Sequence, residues 1–163
     1  MLDWHNVYLG LGSNLSEPKS QLKRAVQLLT ENNDITIMAQ APFYQTPAWG
    51  VTDQPDFINS VLHIQTTLSA EQLLSKIKDI EYNQMGRQKN ARWHERLIDI
   101  DILLVEKQQI NTKELTIPHP LIAERWFVIL PLLALKPDLP LSLENAIKAK
   151  VNAETPPRSH HRH

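Results

Sequence analysis

Arg92-Trp93-His94-Glu95-Arg96-Leu97-Ile98-Asp99-Ile100-Asp101-Ile102-Leu103-Leu104-Val105 is the stretch on which the fold turns. Its second half has the period of a strand: Ile98, Ile100, Ile102 and Leu104 alternate onto one face, the pattern of a sheet surface buried on one side. Asp99 and Asp101 fall on the opposite face, which Leu103 and Val105 make apolar again. Side chains at i and i+2 of a strand stand roughly 7 Å apart at the backbone, so the two carboxylates can converge. Like charges this close repel, and a partly buried pair is costly unless something positive answers it. A divalent cation is the simplest answer, and oxygen-only ligands favour Mg²⁺ or Mn²⁺. The alternative is a solvated pair on the open face of an edge strand. Arg87, Lys89, Arg92 and Arg96 crowd ahead of the acids, with Trp93 among them. That arrangement suits a polyphosphate carried with Mg²⁺, the metal bridging protein and phosphate while the cations neutralise the remainder. A solvated basic loop explains the charges but not their place beside an Asp-x-Asp strand.

The bulk numbers narrow the class. With 163 residues, the chain is long enough for a real core in one domain, expected over residues 1–150. A formal net charge of −1 advertises neither a nucleic acid nor a membrane surface, so the basic cluster is local. The absence of cysteine excludes disulfides, thiolate chemistry and Cys-bound zinc. No early apolar run resembles a signal peptide and none is long enough to span a bilayer, which leads us to expect a soluble cytoplasmic protein. The four glycines, at 10, 12, 50 and 86, cannot make a Walker A loop, and Gly10-Leu11-Gly12 lacks the third glycine of a dinucleotide fingerprint.

Working outward, Val7, Leu9 and Leu11 alternate in a first strand that ends at Gly12-Ser13-Asn14. Ser16 suits an N-cap, with Glu17 and Pro18 in the first turn of a helix running to about Thr30 on Leu22, Ala25, Val26 and Leu29. Ile35 to about Tyr44 reads as a second strand, followed by a loop over residues 46–55 of a length that often serves as a lid. Phe57 to Thr66 is a third strand, with Ile58, Ser60, Leu62 and Ile64 on one face and Phe57, Asn59, Val61 and His63 on the other. Asn59 beside an aromatic can read a flat polar heterocycle, since its amide both donates and accepts; a buried Asn satisfied by backbone is the alternative. Ser69-Ala70-Glu71-Gln72 fits a capping box, and the helix it starts continues toward Gln84. After the Asp strand come a short strand around Ile110 and, behind Pro118-His119-Pro120, a third helix that Pro131 breaks or kinks. Residues 151–163 form a polar, Pro-bearing tail expected to be disordered. The strand–helix–strand–strand–helix–strand order predicts an α+β fold: a ferredoxin-like βαββαβ antiparallel sheet with the first and third strands central, an added hairpin and C-terminal helices. The hairpin and third helix are expected to extend the sheet and cover part of its open face.

Taken together, Gly12-Ser13-Asn14-Leu15, Phe43-Tyr44-x-Thr46-Pro47, Asp53-Gln54-Pro55-Asp56-Phe57-x-Asn59, Arg92-Trp93-x-x-Arg96-x-x-Asp99-x-Asp101-Ile102, and Pro118-His119 with Arg125 and Phe127 resemble the 6-hydroxymethyl-7,8-dihydropterin pyrophosphokinases over roughly residues 6–140. The resemblance implies a Mg-dependent diphosphokinase that moves pyrophosphate from ATP to a pterin alcohol and releases AMP in folate biosynthesis. It implies that Asp99 and Asp101 hold two Mg²⁺ ions, with Arg92 and Arg96 on the triphosphate. Arg87, Lys89, Trp93, His119, Arg125 and Glu81 would attend ATP. Phe57 and Phe127 would sandwich the pterin, Asn59 would hydrogen-bond it, and Asn14, Thr46 and Pro47 would line its pocket. Small molecules are the implied partners, with no nucleic acid, no membrane and a monomeric chain. The chain departs from the family at Trp93-His94-Glu95-Arg96, where Trp-Gly-Pro-Arg is common, at Gln88 in place of an arginine, and at Pro120 in place of a tyrosine. None of these removes a metal ligand or the pterin clamp, so activity should survive with altered loop kinetics. A ferredoxin-like RNA-binding module is disfavoured, because Asp99 and Asp101 on the open face would repel phosphate without metal. A non-catalytic pterin- or nucleotide-binding member is disfavoured by the intact Asp and Arg set.

Overall fold

The computed structural model describes residues 3–15, 17–46, 56–87, 97–154, 156 and 161–162. Among them no helix is long and apolar enough to cross a membrane. The order is β1 (His5–Ser13), α1 (Pro18–Thr30), β2 (Ile35–Gln40), β3 (Phe43–Thr46), β4 (Phe57–Thr66), α2 (Ala70–Lys78) running into a π-helical turn (Asp79–Gln84), and β5 (Asp99–Val105). The strands pair antiparallel in the order β5-β1-β4-β3, with β2 also on β4. This is the expected βαββαβ arrangement with its first and third strands central. The expected second strand is divided. β2 pairs with the far half of β4 and β3 with its start, because Pro42 has no N–H to donate and the register already slips between Ile37 and Ala39.

One face of the sheet packs against α1 and α2. Leu22, Ala25 and Leu29 of α1 and Leu73 and Ile77 of α2 are fully enclosed against Leu9, Leu62, Ile64 and Ile100. Each leucine and isoleucine among them contributes about 1.5–3 kcal/mol relative to leaving it exposed. α2 starts at the expected capping box: Ser69 Oγ accepts from Gln72 N–H at 3.2 Å, and Gln72 Oε1 accepts from Ser69 N–H at 2.8 Å. α1 departs from expectation. It begins at Pro18, and the cap position is Glu17 in the left-handed region with no side-chain cap bond; Ser16 lies outside the described residues.

The alternation predicted for the Asp strand holds only to Ile102. Between β1 and β5 the register runs Leu9 with Ile102 and then Tyr8 with Leu104, leaving Leu103 as the extra residue of a β-bulge. A one-residue insertion exchanges the faces beyond it. Leu103 and Leu104 therefore both join the cluster on the open face, and Val105 joins the Ile face, the reverse of the simple reading.

That second cluster forms under the C-terminal elements. A 3-10 turn (Ile122–Glu124) leads into α3 (Trp126–Ala134), and α4 (Leu141–Ala153) follows. Ile129, Leu132, Leu143 and Ile147 cover Tyr8, Val61, Leu103 and Leu104. α3 passes through Pro131 rather than ending there, and Pro131 is itself buried. The added hairpin, β6 (Ile110–Asn111) and β7 (Thr116–Ile117), is a separate two-stranded sheet and does not extend the main one. α4 runs three residues beyond the expected domain limit at 150, and β8 (His161–Arg162) pairs with Phe43–Tyr44 on β3.

Candidate functional site

The site begins with an absence of side chains. β1 sends Leu9 and Leu11 into the core under the helices, so Gly10 and Gly12 fall on the open face. Register places Gly12 between Asn59 of β4 and Asp99 of β5, and Gly10 between Val61 and Asp101. The centre of the sheet is thus bare, flanked by an amide on one side and two carboxylates on the other. A methyl group at Gly12 would lie 2.9 Å from Asn59 Oδ1, closer than real Cβ contacts allow. Above this floor is a cavity of about 440 Å³, walled by Phe57, Phe127, His119 and Arg125. That size suits a small planar ligand.

A second cavity, of about 390 Å³, opens beyond the β5 edge. Leu74 and Leu115 give it apolar wall, and Lys78, Glu81, Arg87 and Lys113 give it charge. Asp99, Asp101 and His119 line both cavities, so the two meet at the carboxylate pair.

The bulge at Leu103 helps to place His119. The carbonyl of Leu103 accepts the His119 N–H at 2.8 Å. The His119 ring is fixed from the other side, its Nδ1 accepting the Leu121 N–H at 3.1 Å. An accepting Nδ1 leaves the ring proton on Nε2. Burial lowers the pKa of His119, the Arg125 guanidinium lowers it further, and Asp99 opposes both. Arg125 itself sits 5.6 Å from the centroid of the Phe127 ring.

The acid pair is under electrostatic pressure. Burial raises the pKa of Asp101 to about 7, reinforced by the charges of Asp99 and Glu81 and by a hydrogen bond to Asp99, while Arg125 opposes. Glu81 is 3% exposed and burial raises its pKa; the Ile100 N–H, which its Oε2 accepts at 3.0 Å, and Arg87 pull it back down. Arg87 Nη1 lies 2.6 Å from that same Oε2 and 3.2 Å from Asp99 Oδ1.

Of the residues singled out in the sequence, Asp99, Asp101, His119, Arg125, Phe57, Phe127 and Asn59 converge on the first cavity, while Glu81 and Arg87 line the second. Asn14 is buried just past the end of β1 and is not among the lining residues of either cavity. Thr46 pairs with Phe57 through its backbone at the end of β3. Pro47, Lys89, Arg92, Trp93 and Arg96 lie outside the described residues. Sequence reasoning missed Gly10 and Gly12 as a floor, although glycines two apart in a strand signal close approach of a ligand or backbone. It also missed Lys78 and Tyr82, which flank Glu81 on α2 and its π-helical turn, and Lys113 and Thr116, which reach the second cavity from the β6–β7 hairpin with no local signal to reveal them.

The family model for 7,8-dihydro-6-hydroxymethylpterin-pyrophosphokinase (HPPK) matches residues 8–137. A 2-amino-4-hydroxy-6-hydroxymethyldihydropteridine pyrophosphokinase of Methylorubrum extorquens is 39% identical over 143 residues, covering 88% of this chain and 90% of that protein. The enzyme of the same name from Aquifex aeolicus is 41% identical over 133 residues, covering 82% and 81%. Among solved structures, a Plasmodium falciparum HPPK-DHPS with pteroate superposes with a TM-score of 0.71 at 14% identity, over 93% of this chain. An HPPK-DHPS in complex with substrates gives 0.66 at 14% identity, again over 93% of this chain. This chain spans 43% and 44% of those two longer chains, and at that identity the likeness shows the fold.

Proposed function

This chain belongs to the 7,8-dihydro-6-hydroxymethylpterin-pyrophosphokinase family, and on that premise we propose that the cavity on the sheet face takes the pterin and the cavity beyond β5 takes ATP. The enzyme transfers pyrophosphate from ATP to the hydroxymethyl group of 6-hydroxymethyl-7,8-dihydropterin in folate biosynthesis, releasing AMP. One observation carries the assignment of cavities to substrates. Among the described residues the two spaces share only Asp99, Asp101 and His119, which is where a hydroxyl on one substrate would meet a phosphorus on the other.

The residues fit that reading chemically. Phe57 and Phe127 offer aromatic faces to a planar ring, and the Asn59 amide offers a donor and an acceptor to its edge. The His119 Nε2–H is a neutral donor suited to a phosphoryl oxygen, and Arg125 adds charge beside it. Arg87 and Glu81 attend the nucleotide side, and we assign Lys89, Arg92, Trp93 and Arg96 to the triphosphate as well. Asn14, Thr46 and Pro47 complete the pterin pocket.

Asp99 and Asp101 fit a divalent cation. Their carboxyls are forced together, half-buried and burdened with each other's charge. Among the described residues no group of three acids or histidines could enclose an ion. A pair of carboxylates completed by phosphate oxygens and water is the donor set Mg²⁺ prefers. We propose two Mg²⁺ ions there; when bound, they supply neutralisation of charge on the phosphoryl oxygens. The remainder of catalysis is positioning, since phosphoryl transfer asks little covalent chemistry of the protein. We also propose that the enzyme works as a cytoplasmic monomer.

The test is AMP release from ATP with and without 6-hydroxymethyl-7,8-dihydropterin, in Mg²⁺ and in EDTA. AMP that requires both pterin and metal is the expected result. ADP as product would overturn the reaction class, and tight pterin binding without turnover would make the chain a binding protein on this scaffold.

A further inference from the structure

Arg87 holds a position that the proposed reaction needs for something else. Its guanidinium bridges Glu81 Oε2 at 2.6 Å and Asp99 Oδ1 at 3.2 Å and lies 5.3 Å from the centroid of the Tyr82 ring. Its backbone N–H is tied to the Glu81 carbonyl at 2.8 Å. Glu81 is itself fixed, because the same Oε2 accepts the Ile100 N–H that β5 presents at the free edge of the sheet, between the two aspartates. The seat is nevertheless incomplete. Among the described residues, the Arg87 Nε is buried without a hydrogen-bond partner. Gly86, immediately before it, has φ +74°, the left-handed region that glycine enters without strain.

We propose that Glu81 is a positioning residue that parks Arg87 on Asp99 as a stand-in cation in the free enzyme, and that Arg87 moves from Asp99 to the polyphosphate when the metal-bound nucleotide enters. This rests on the assignment of ATP to the second cavity. The physical reason is competition. A divalent ion held by the Asp99 carboxylate would stand against a guanidinium already hydrogen-bonded to the same group, and the two cations would repel. The guanidinium does not have to leave the cavity to find an anion. Arg87 lines the second cavity, where phosphates would offer it paired acceptors in place of one carboxylate oxygen. Glu81, with its carboxylate spent on Ile100 N–H and Arg87, then acts through these groups and need not touch the nucleotide.

The competing contact gives Arg87→Met a signature of two opposite changes. Mn²⁺ alone, titrated by electron paramagnetic resonance without nucleotide, should bind about fivefold more tightly than to the wild type, the scale of removing a partly exposed ion pair. A Mg²⁺-loaded non-hydrolysable ATP analogue, measured by calorimetry, should bind about tenfold or more weakly, the scale of lost charge-assisted hydrogen bonds. Unchanged Mn²⁺ affinity overturns the proposal, and so does a fall in both affinities, which would make Arg87 a prop of the Asp strand. Should the variant fail to fold, the wild-type enzyme carries the test: the Arg87 Nε–H resonance, assigned with Arg87→Lys, should shift when the Mg²⁺–analogue binds, and a resonance that stays in place refutes the exchange. Neither measurement depends on which product forms, so failure here is distinct from failure of the AMP assay.

Discussion

Gly12→Ala is the substitution that probes the floor of the site most directly. The added methyl would lie 2.9 Å from Asn59 Oδ1 and 3.9 Å from the Phe57 ring, so the Asn59 amide must shift before Phe57 does. Crowding of this kind costs about 1–3 kcal/mol. Gly12 does not hold a positive φ, so replacing it also stabilises the fold by about 0.4–1 kcal/mol through the unfolded chain. The net loss of stability is therefore modest, about 0–2.6 kcal/mol. The effect on pterin binding is larger in proportion. Displacing the amide removes a donor and an acceptor, each contributing about 0.5–1.5 kcal/mol, so pterin affinity should fall about 5- to 150-fold while affinity for an ATP analogue changes less than about twofold. The decisive assay is a double-mutant cycle by calorimetry with Asn59→Ala. With no Oδ1 to collide with, Gly12→Ala should cost about twofold or less in that background, leaving a coupling of about 0.6–3 kcal/mol. Equal losses in the two backgrounds, or an equal loss for pterin and nucleotide, would refute the role given to Asn59 and the separation of the two cavities.

Asp101→Asn should separate stability from activity. The folded pKa of about 7 lies above the ordinary value of 3.8, so ionising Asp101 opposes folding; the penalty grows as pH rises from about 4 to about 7 and is fully present above that. In EDTA at pH 8 the variant should resist urea by about 1–3 kcal/mol more than the wild type, while turnover with Mg²⁺ falls at least about 100-fold; undiminished turnover would sink the metal assignment. His63 offers a pH test away from the site. Its ring stacks on Tyr8 with centroids 4.7 Å apart, and burial lowers its pKa, with Glu106 opposing. A depressed histidine contributes stability that is complete above its unfolded pKa of about 6.5 and is lost as pH falls through the folded pKa. The urea midpoint should therefore drop between pH 7.5 and pH 5, and His63→Gln should flatten that drop; an unchanged slope would assign the acid sensitivity elsewhere.

What the sequence could reveal depended on how local its physical cause was. The faces of β1 and β4 follow from alternation within each strand, and the capping box at Ser69 follows from four consecutive residues. The convergence of Asn59, Asp99 and Asp101 was also legible, because the strand order of the fold sets β4 and β5 on either side of β1. The bulge at Leu103 was not. It exists only as a mismatch of length between β1 and β5, and neither strand carries it alone. Reading one strand from Ile35 to Tyr44 passed over Pro42, a ladder breaker; the chain resumes pairing with the same strand beyond it, so one expected strand became two. Pro131 shows the reverse case. Its missing N–H costs about 3 kcal/mol in a helix interior, but α3 is almost wholly apolar and buries Ile129, Pro131 and Leu132, which is enough to carry the helix past it.

The position of β5 at the sheet edge is what lets one acid pair serve two substrates. A central strand would have neighbours on both sides and only its faces open to a ligand. Among the described residues β5 pairs with β1 on one side alone. The carboxylates of Asp99 and Asp101 therefore face the glycine floor of the first cavity and also the space beyond the edge. An edge strand has unpaired backbone donors, and here Glu81 accepts the one between the two aspartates, which keeps the strand from offering itself to another chain. The same contact brings a third carboxylate toward the pair and raises the pKa of Asp101 further. Capping the edge and loading the site with negative charge are thus one interaction. In the proposed reaction that charge is what a divalent cation answers, and until it arrives Arg87 is the group at hand.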